Sequence, residues 1–366
     1  DKKIMAKNLI HFLIDHIDPL GQGVFKNEDQ IYFIPKTLPG ETGQAEVTKS
    51  KKNIHFCRLV KIDNPSPKRI PPLCPHFSEC SGCHFLHTSY EQELEFKEKS
   101  FERMLAPIGS PKFDTVSAPE RVGYRNRVQL HYHKRSQSLG FIIASQKRIL
   151  EVPGCKIYRN ELMPSFNELY QKKTKLLNKR PRPKGHVELY LRENNEIKET
   201  WDSRYASDGF TQVNEQMNQK LLESVRTSTL SFSPKSTLDL FGGDGNLSKN
   251  IEGDVFHIDR YPFEQKDNFF SLDLSEESSL DRFSKMAGRE SFDLFLVDPP
   301  RAGFKHLSNW VEKFSPKMLI YVSCHPQTMI RDLKQLEKPY EIVEAKLLDL
   351  FPSTFHFEAM TVVRFK

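Results

Sequence analysis

The sequence predicts a multidomain α/β chain in three parts. These are a small N-terminal β-barrel, a central α+β domain around a cysteine triad, and a C-terminal Rossmann-like domain. Three observations carry the prediction. At roughly 150 residues per domain, 366 residues allow two or three domains. The first sixty or so residues hold short β-like runs cut by turn residues, while from about Phe210 onward apolar strand candidates alternate with helical or loop segments. Between these regions Cys74, Cys80 and Cys83 crowd into a ten-residue stretch.

In chain order, β-like runs lie at Ile10 to Ile14, Gln30 to Ile34, Gln44 to Lys49 and Phe56 to Ile62, separated by Pro19-Leu20-Gly21-Gln22-Gly23 and Leu38-Pro39-Gly40-Glu41. Short strands at this spacing, with no helical period between them, read as a barrel over 1–63. Lys49-Ser50-Lys51-Lys52 sits in a hairpin loop, as a solvated turn or an RNA-backbone contact. Pro65, Pro67, Pro71 and Pro72 mark the linker into a central domain, 64–209. Its helix spans 90–106, with Leu94, Phe101 and Leu105 on one face and Pro107 and Gly109 ending it, and is expected to pack on the last domain. Arg121 to Arg135 is basic and β-like, and Asn178 to His186 is a weakly structured Lys/Arg/Pro-rich stretch. In 210–366 the strand candidates are Thr237 to Phe241, Val255 to Asp259, Phe292 to Val297, Met318 to Ser323, Glu344 to Leu348 and Ala359 to Phe365, which implies a largely parallel sheet.

Composition excludes other classes. With 37% hydrophobic and 28% charged residues the chain has enough apolar material for sizeable cores, and a mean hydropathy of −0.57 goes with no run near the roughly 18 apolar residues of a membrane span. Asp1-Lys2-Lys3-Ile4 shows no secretory pattern, so with no membrane span a cytoplasmic protein with no membrane partner is expected, and a monomer. The net charge of +6 is a mild bias toward polyanions. Disulfide frameworks belong to small secreted chains, so the cysteine triad reads as metal or cluster ligation needing a fourth thiolate. Cys-x2-Cys is also a zinc spacing, and the x5 gap favours iron–sulfur. Cys57 reads as an inert barrel residue.

Four motifs carry chemistry. Thr237-Leu-Asp-Leu-Phe241 runs into Gly242-Gly243-Asp244-Gly245-Asn246, a glycine turn at a strand's carboxyl end, where doubly wound folds bind ligands. Ser248 stands in the third-glycine place of a dinucleotide fingerprint, and Asp259 ends the next strand, a pair that fits S-adenosylmethionine better than NAD. Asp298-Pro299-Pro300-Arg301 closes another strand; the prolines alone terminate it, which leaves Asp298 and Arg301 without a role. Cys324 ends Met318 to Ser323 and is followed by His325-Pro326, and Glu358 precedes the final strand. A lone buried Cys is usually inert, but its place between a cofactor loop and an acidic motif makes Cys324 a candidate nucleophile.

Taken together, these motifs make the chain resemble the RNA (uracil-5-)methyltransferases, and more closely the 23S ribosomal RNA branch with a TRAM domain and an iron–sulfur cluster. The resemblance covers nearly the whole chain, including Gly21-x-Gly23, Leu38-Pro-Gly-Glu41, Ser81-Gly82 within the triad, Phe210-Thr-Gln-Val-Asn214 and Phe351-Pro. It implies an OB-like TRAM barrel and a class I S-adenosylmethionine-dependent methyltransferase domain. It makes Cys74, Cys80, Cys83 and Cys155 ligands of a [4Fe-4S] cluster, Cys324 the nucleophile and Glu358 the general base. Gln212, Phe241, Gly243, Gly245, Asn246, Asp259, Asp273 and Asp298 would surround the cofactor and target base. Three residues depart from the family's habit: Gly242 stands where Cys is usual, His325 where Asn is usual, and Asp259 where Glu is common.

The implied reaction is C5-methylation of a uridine in 23S rRNA through a thiolate adduct at C6, with His325, if charged, lowering the thiol pKa. Phosphate contacts are expected from Arg121, Arg125, Arg127, Lys134 and Arg135, with Tyr124 and Tyr132 available to stack bases. The same chemistry on the tRNA T-loop uridine, an N-methyltransferase, and a non-enzymatic RNA-binding module with a degenerate catalytic domain are the rival readings.

Overall fold

The computed structural model describes residues 9–143, 148–192, 194–204, 211–260 and 268–366. Phe210 of the Phe-Thr-Gln-Val-Asn motif lies outside them. The chain forms two compact units, one of Asp1–Ser100, Glu120–Tyr205 and Phe351–Phe355, the other of Phe101–Pro119, Ala206–Leu350 and His356–Lys366. The stretches read as barrel and central domain thus fall in one unit. Among the described residues no helix is long and apolar enough to cross a membrane.

In the first unit β1 (Leu9–Leu13), β2 (His16–Ile17), β3 (Gln22–Asn27), β4 (Gln30–Pro35), β5 (Thr42–Lys51) and β6 (Ile54–Asn64) form a curled sheet ordered β1-β5-β6-β4-β3-β2. The two ends of that order, β1 and β2, are separated in the chain only by Ile14 and Asp15, and Asp15 N–H donates to Val24 O, so the sheet curls back on itself in keeping with the expected barrel. Register shifts along β5 and β6 add the bend. The glycines that read as a turn lead into and line β3: a Cβ on Gly23 would stand 2.0 Å from Thr37 Oγ1, so only glycine lets that strand pass. Phe12, Ile14, Ile34, Ala45 and Cys57 close a small core, which buries Cys57 as expected.

Helix α1 (Tyr90–Leu105) matches the expected span, and β7 (Asp114–Val116) follows it. Phe101 and Leu105 enter the second unit's core. In the first unit, Glu93 is wholly buried and offset by two cations: Lys97 at 2.8 Å one turn on, and Arg121 at 2.8 Å. Strands β8 (Arg127–His133), β9 (Ser138–Ile143), β10 (Arg148–Leu150), β11 (Lys184–Leu191) and β12 (Ile197–Trp201) make an antiparallel sheet ordered β10-β9-β8-β11-β12. Its alternation sends Val128, Leu130 and Tyr132 into a core with Phe166 and Leu169 of α2 (Met163–Gln171) and Leu177 of α3 (Lys173–Asn178).

The second unit holds α4 (Glu215–Leu230), β13 (Ser236–Leu240), β14 (Asp254–Asp259), β15 (Phe269–Ser271), α5 (Ser278–Met286), β16 (Leu294–Val297), α6 (Leu307–Phe314), β17 (Met318–Ser323), α7 (Pro326–Lys334), β18 (Tyr340–Leu348) and β19 (Glu358–Phe365). With β7 the strands form one sheet ordered β15-β14-β13-β16-β17-β19-β18-β7. β15 through β17 in that order run parallel, and β13, β16 and β17 are buried along their whole length, as strands covered on both faces are, while β14 alternates. β19 runs antiparallel between β17 and β18, so the sheet is mixed. Phe283, Phe292, Trp310 and Phe314 pack edge-to-face and tilted beneath the parallel half.

Candidate active site

Every catalytic or cofactor residue expected on a strand end lies at one edge of the second unit's sheet, the carboxyl ends of the parallel strands. β13 delivers Phe241 and the glycine turn there, β14 Asp259, β16 Asp298 and β17 Cys324. Because β19 is antiparallel, its first residue, Glu358, arrives at the same edge. Ser323 pairs with Ala359, so one further step of register sets Cys324 opposite Glu358.

The glycine turn has a built conformation. Phe241, Gly243 and Gly245 all have positive φ, at 62°, 52° and 79°. Gly245 N–H donates to Gly242 O at 2.7 Å, and Gly243 N–H donates to Asp259 Oδ2 at 3.1 Å. Asp259 therefore braces the turn. Beneath it, wholly buried Asp239 accepts from Ser248 Oγ at 2.5 Å and lies 3.4 Å from His257. A Cβ at Gly242 would meet the Asp239 carboxyl at 2.8 Å, which accounts for glycine in this chain. Asn246 exchanges side-chain hydrogen bonds with Asn218 of α4, at 3.1 and 3.0 Å. Asn214 caps α4 through Met217 N–H, which holds Gln212 just ahead of the helix. Asp273 follows β15, accepts from Ser275 N–H and Oγ–H and pairs with Arg260 at 3.1 Å, bonds that hold its pKa down.

Around Cys324 the electrostatics are unusual. Burial, then the charges of Glu358 and Asp298, push the Cys324 thiol up to about 11, opposed by Arg301, which hydrogen-bonds it. Burial and Asp298 hold Glu358 well above the carboxylate range, again against Arg301. Asp298 is raised to about 7 by burial and by Asp239. Glu358 is 4% exposed, and its Oε2 is buried with no hydrogen-bond partner among the described residues, as is Nδ1 of His325. The cation that opposes the rise in the thiol pKa is Arg301. Charge alone could not separate Arg301 from an ordinary surface arginine, and only its place after Asp298-Pro-Pro hinted at more.

A family model described as tRNA (uracil-5-)-methyltransferase matches residues 267–365, the span that contains Asp298, Cys324 and Glu358. The 23S rRNA (uracil(1939)-C(5))-methyltransferase RlmD of Shewanella sp. (strain MR-4) is 27% identical over 439 residues, covering 99% of this chain and 96% of that protein. RlmD of Photorhabdus laumondii is 27% identical over 437 residues, covering 99% and 98%. Along nearly its whole length the chain is similar to RNA (uracil-5-)-methyltransferases. Its fold is also that of the Pyrococcus abyssi tRNA (uracil-54, C5)-methyltransferase solved with S-adenosyl-L-homocysteine, at a TM-score of 0.74 and 20% identity over 96% of this chain and 99% of that one.

Arg301→Gln is then a pointed test. It removes the cation that favours ionised Cys324 and Glu358, so methyl transfer should fall about 10- to 100-fold, the worth of a hydrogen bond to a charged group. The alkaline limb of the rate–pH profile should move to higher pH, because the thiol loses its stabilising charge. An unchanged profile would remove Arg301 from the site.

In the first unit, Cys74, Cys80, Cys83 and Cys155 line one cavity of about 270 Å³. His76 Nε2 lies 3.1 Å from Pro153 O, which ties the triad segment to the Cys155 turn. Gly82 N–H points at Cys80 Sγ at 3.3 Å, and Lys36 donates to the Cys80 carbonyl at 2.9 Å. Burial first, then Cys155, Cys80 and Cys74, drives the Cys83 thiol far up, and burial raises Cys155 to about 11. Among the described residues no group of three or more His, Cys, Asp or Glu is gathered as a ready single-ion site.

The expected RNA contacts separate. Arg121 donates to Glu93, Thr88 O and Phe85 O, and Arg127 is 1% exposed, with its guanidinium 3.9 Å from the Tyr190 ring centre and 3.8 Å from Glu188. Arg125 lines the cysteine cavity. Tyr124 and Tyr132 are buried, the first donating to Pro352 O, so neither offers a face for a base. Lys134 donates to Arg180 O, and Arg135 alone of the five is fully exposed.

Proposed function

We propose that the protein methylates C5 of a uridine in 23S rRNA with S-adenosylmethionine, through a covalent Cys324–C6 adduct. The observation that carries this reading is the placing of Cys324 opposite Glu358 at the edge that also bears the glycine turn. Near-complete coverage of RlmD proteins supports 23S rRNA as the target class.

S-adenosylmethionine supplies an electrophilic methyl group when bound, and Phe241, Gly243, Gly245, Asn246 and Asp259 are the residues that would hold it, with Gln212, Asp273 and Asp298 at the same edge. Uracil C5 is a poor nucleophile, so electron density must first enter the ring. Cys324 gives its proton to the carboxylate pair and its sulfur bonds C6, which leaves an enolate nucleophilic at C5. C5 takes the methyl group. Ionised Glu358 removes the C5 proton, and elimination across C5–C6 expels the thiolate. Burial and Asp298 raise the Glu358 pKa, which makes it a stronger base when ionised. Extrusion of the target base costs a few kcal/mol, about as much as favours an unpaired uridine.

A [4Fe-4S] cluster on Cys74, Cys80, Cys83 and Cys155 is part of the proposal. Four thiols around a cavity of about 270 Å³ suit a polynuclear group, whereas a single zinc needs four sulfurs drawn to about 2.3 Å. The cluster has no task in the methyl transfer and would pin the triad to the Cys155 turn. Anaerobically purified protein should carry iron and sulfide in equal amounts, and Cys83→Ser should lose both; stoichiometric zinc in their place would overturn this assignment. The function itself is tested by mapping 5-methyluridine after the protein acts on unmodified 23S rRNA and tRNA in parallel. Methyl only in 23S rRNA is expected; methyl only in tRNA would keep the mechanism and replace the substrate, and methyl in neither would favour a binding module.

A further inference from the structure

A second cavity, of about 720 Å³, lies in the first unit on the sheet built from β8, β9 and β11. Register explains its lining. His133 pairs with Lys184 on β11 and with Ser138 on β9, while His131 pairs with His186 and Gly140. Because Val128, Leu130 and Tyr132 take the core face, alternation sends His131, His133, Lys184 and His186 to the other face. The rings of His131 and His186 meet edge to face at 6.2 Å, and Ile142, 48% exposed, adds an apolar wall.

The charge around this cavity is one-sided. No acidic side chain lines it among the described residues. The nearby carboxylate of Asp202 is engaged by Tyr132 O–H at 2.9 Å and His186 N–H at 3.0 Å. Arg148 at the rim pairs with Glu79. The stretch Lys179-Arg-Pro-Arg-Pro-Lys184, which the catalytic reading leaves unused, enters β11 at this point. Pro181 and Pro183 keep it extended, and Arg180 is held over Trp201 at 4.5 Å with its carbonyl on Lys134. Arg182 and Lys184 are exposed, and neither has an ion pair among the described residues.

We propose that this cavity binds one unpaired nucleotide of the RNA substrate, with its base against the imidazoles of His131, His133 and His186 and its phosphates on Arg182 and Lys184. The inference rests on the reading that the substrate is RNA, and it places an anchoring site in a different unit from the methylated base. The chemistry favours a nucleotide over a bare anion. Sequence-tolerant RNA recognition splays single bases onto aromatic side chains, histidine included, while lysine and arginine track the backbone. The volume is that of a pocket for a small organic group. It also supplies the phosphate contacts that Arg121, engaged with Glu93, and buried Arg127 do not.

The test uses the full chain and an unmodified 23S rRNA fragment, with binding followed by fluorescence anisotropy across salt concentrations and methyl transfer measured alongside. His133→Ala should raise both Kd and KM about tenfold and leave kcat unchanged. The double variant Arg182→Ala/Lys184→Ala, at exposed positions that do not threaten the fold, should weaken binding and lower the salt slope by about two. Unchanged Kd and slope in both variants, with wild-type circular dichroism, would overturn the proposal. A changed slope with no effect of His133→Ala would reduce the cavity to a backbone contact and overturn the base site. Wild-type protein that binds RNA but transfers no methyl group would end the methyltransferase reading, while the two variants would still decide the cavity.

Discussion

Cys324→Ala should abolish methyl transfer, by about four orders of magnitude or more, because the sulfur begins the only route by which C5 becomes nucleophilic. The same variant should form no covalent complex with 5-fluorouridine RNA. In the wild type that substrate stalls as an adduct, since fluorine at C5 cannot leave as a proton does. RNA affinity should be unchanged, which separates loss of the nucleophile from loss of the fold. The pH dependence carries the same signature. A thiol raised to about 11 and an Asp298 raised to about 7 are both protonated on the acid side, so the wild-type rate rises with pH through neutrality and into the alkaline range. A fully active Cys324→Ala protein would end this account.

Glu358→Gln should instead stop the reaction after methylation, and a covalent methylated RNA–protein adduct should accumulate, visible as a band that survives denaturing electrophoresis. Gln keeps the shape and removes the base. The substitution should also stabilise the protein. Glu358 has a folded pKa well above its ordinary 4.5, so the native state is penalised as pH rises above 4.5 toward the folded value and by a constant amount beyond it. Removing that buried charge should raise the urea midpoint at neutral pH, and the gain should vanish below about pH 4.5, where both states are protonated. A Gln variant that is less stable at pH 7 and accumulates no adduct would assign Glu358 a structural role.

Much of the second unit was legible because its physics is local. The central parallel strands are largely apolar runs bounded by turn residues, and α1 shows its period directly, so Met318–Ser323 matches expectation residue for residue and Tyr90–Leu105 falls one residue short of the expected 90–106. The short strands β7 and β15 escaped notice, since three residues carry no period. β3 escaped because its glycines read as a turn, when their purpose is passage beside Thr37.

Residue types and order alone singled out the cysteine set, the glycine turn, Cys324 and Glu358, for the proposed roles need particular atoms at particular strand ends. Only the tertiary structure decided which charges act. Arg121 and Arg127 look like RNA contacts in the sequence, yet Glu93 and Glu188, distant in the chain, draw them inward. Arg301 looks idle, yet it meets the sulfur of a cysteine from another strand. An ion pair depends on distance in space, and sequence records only distance along the chain. The antiparallel return of β19 has the same origin: it brings Glu358 to Cys324 through a register that no local pattern encodes.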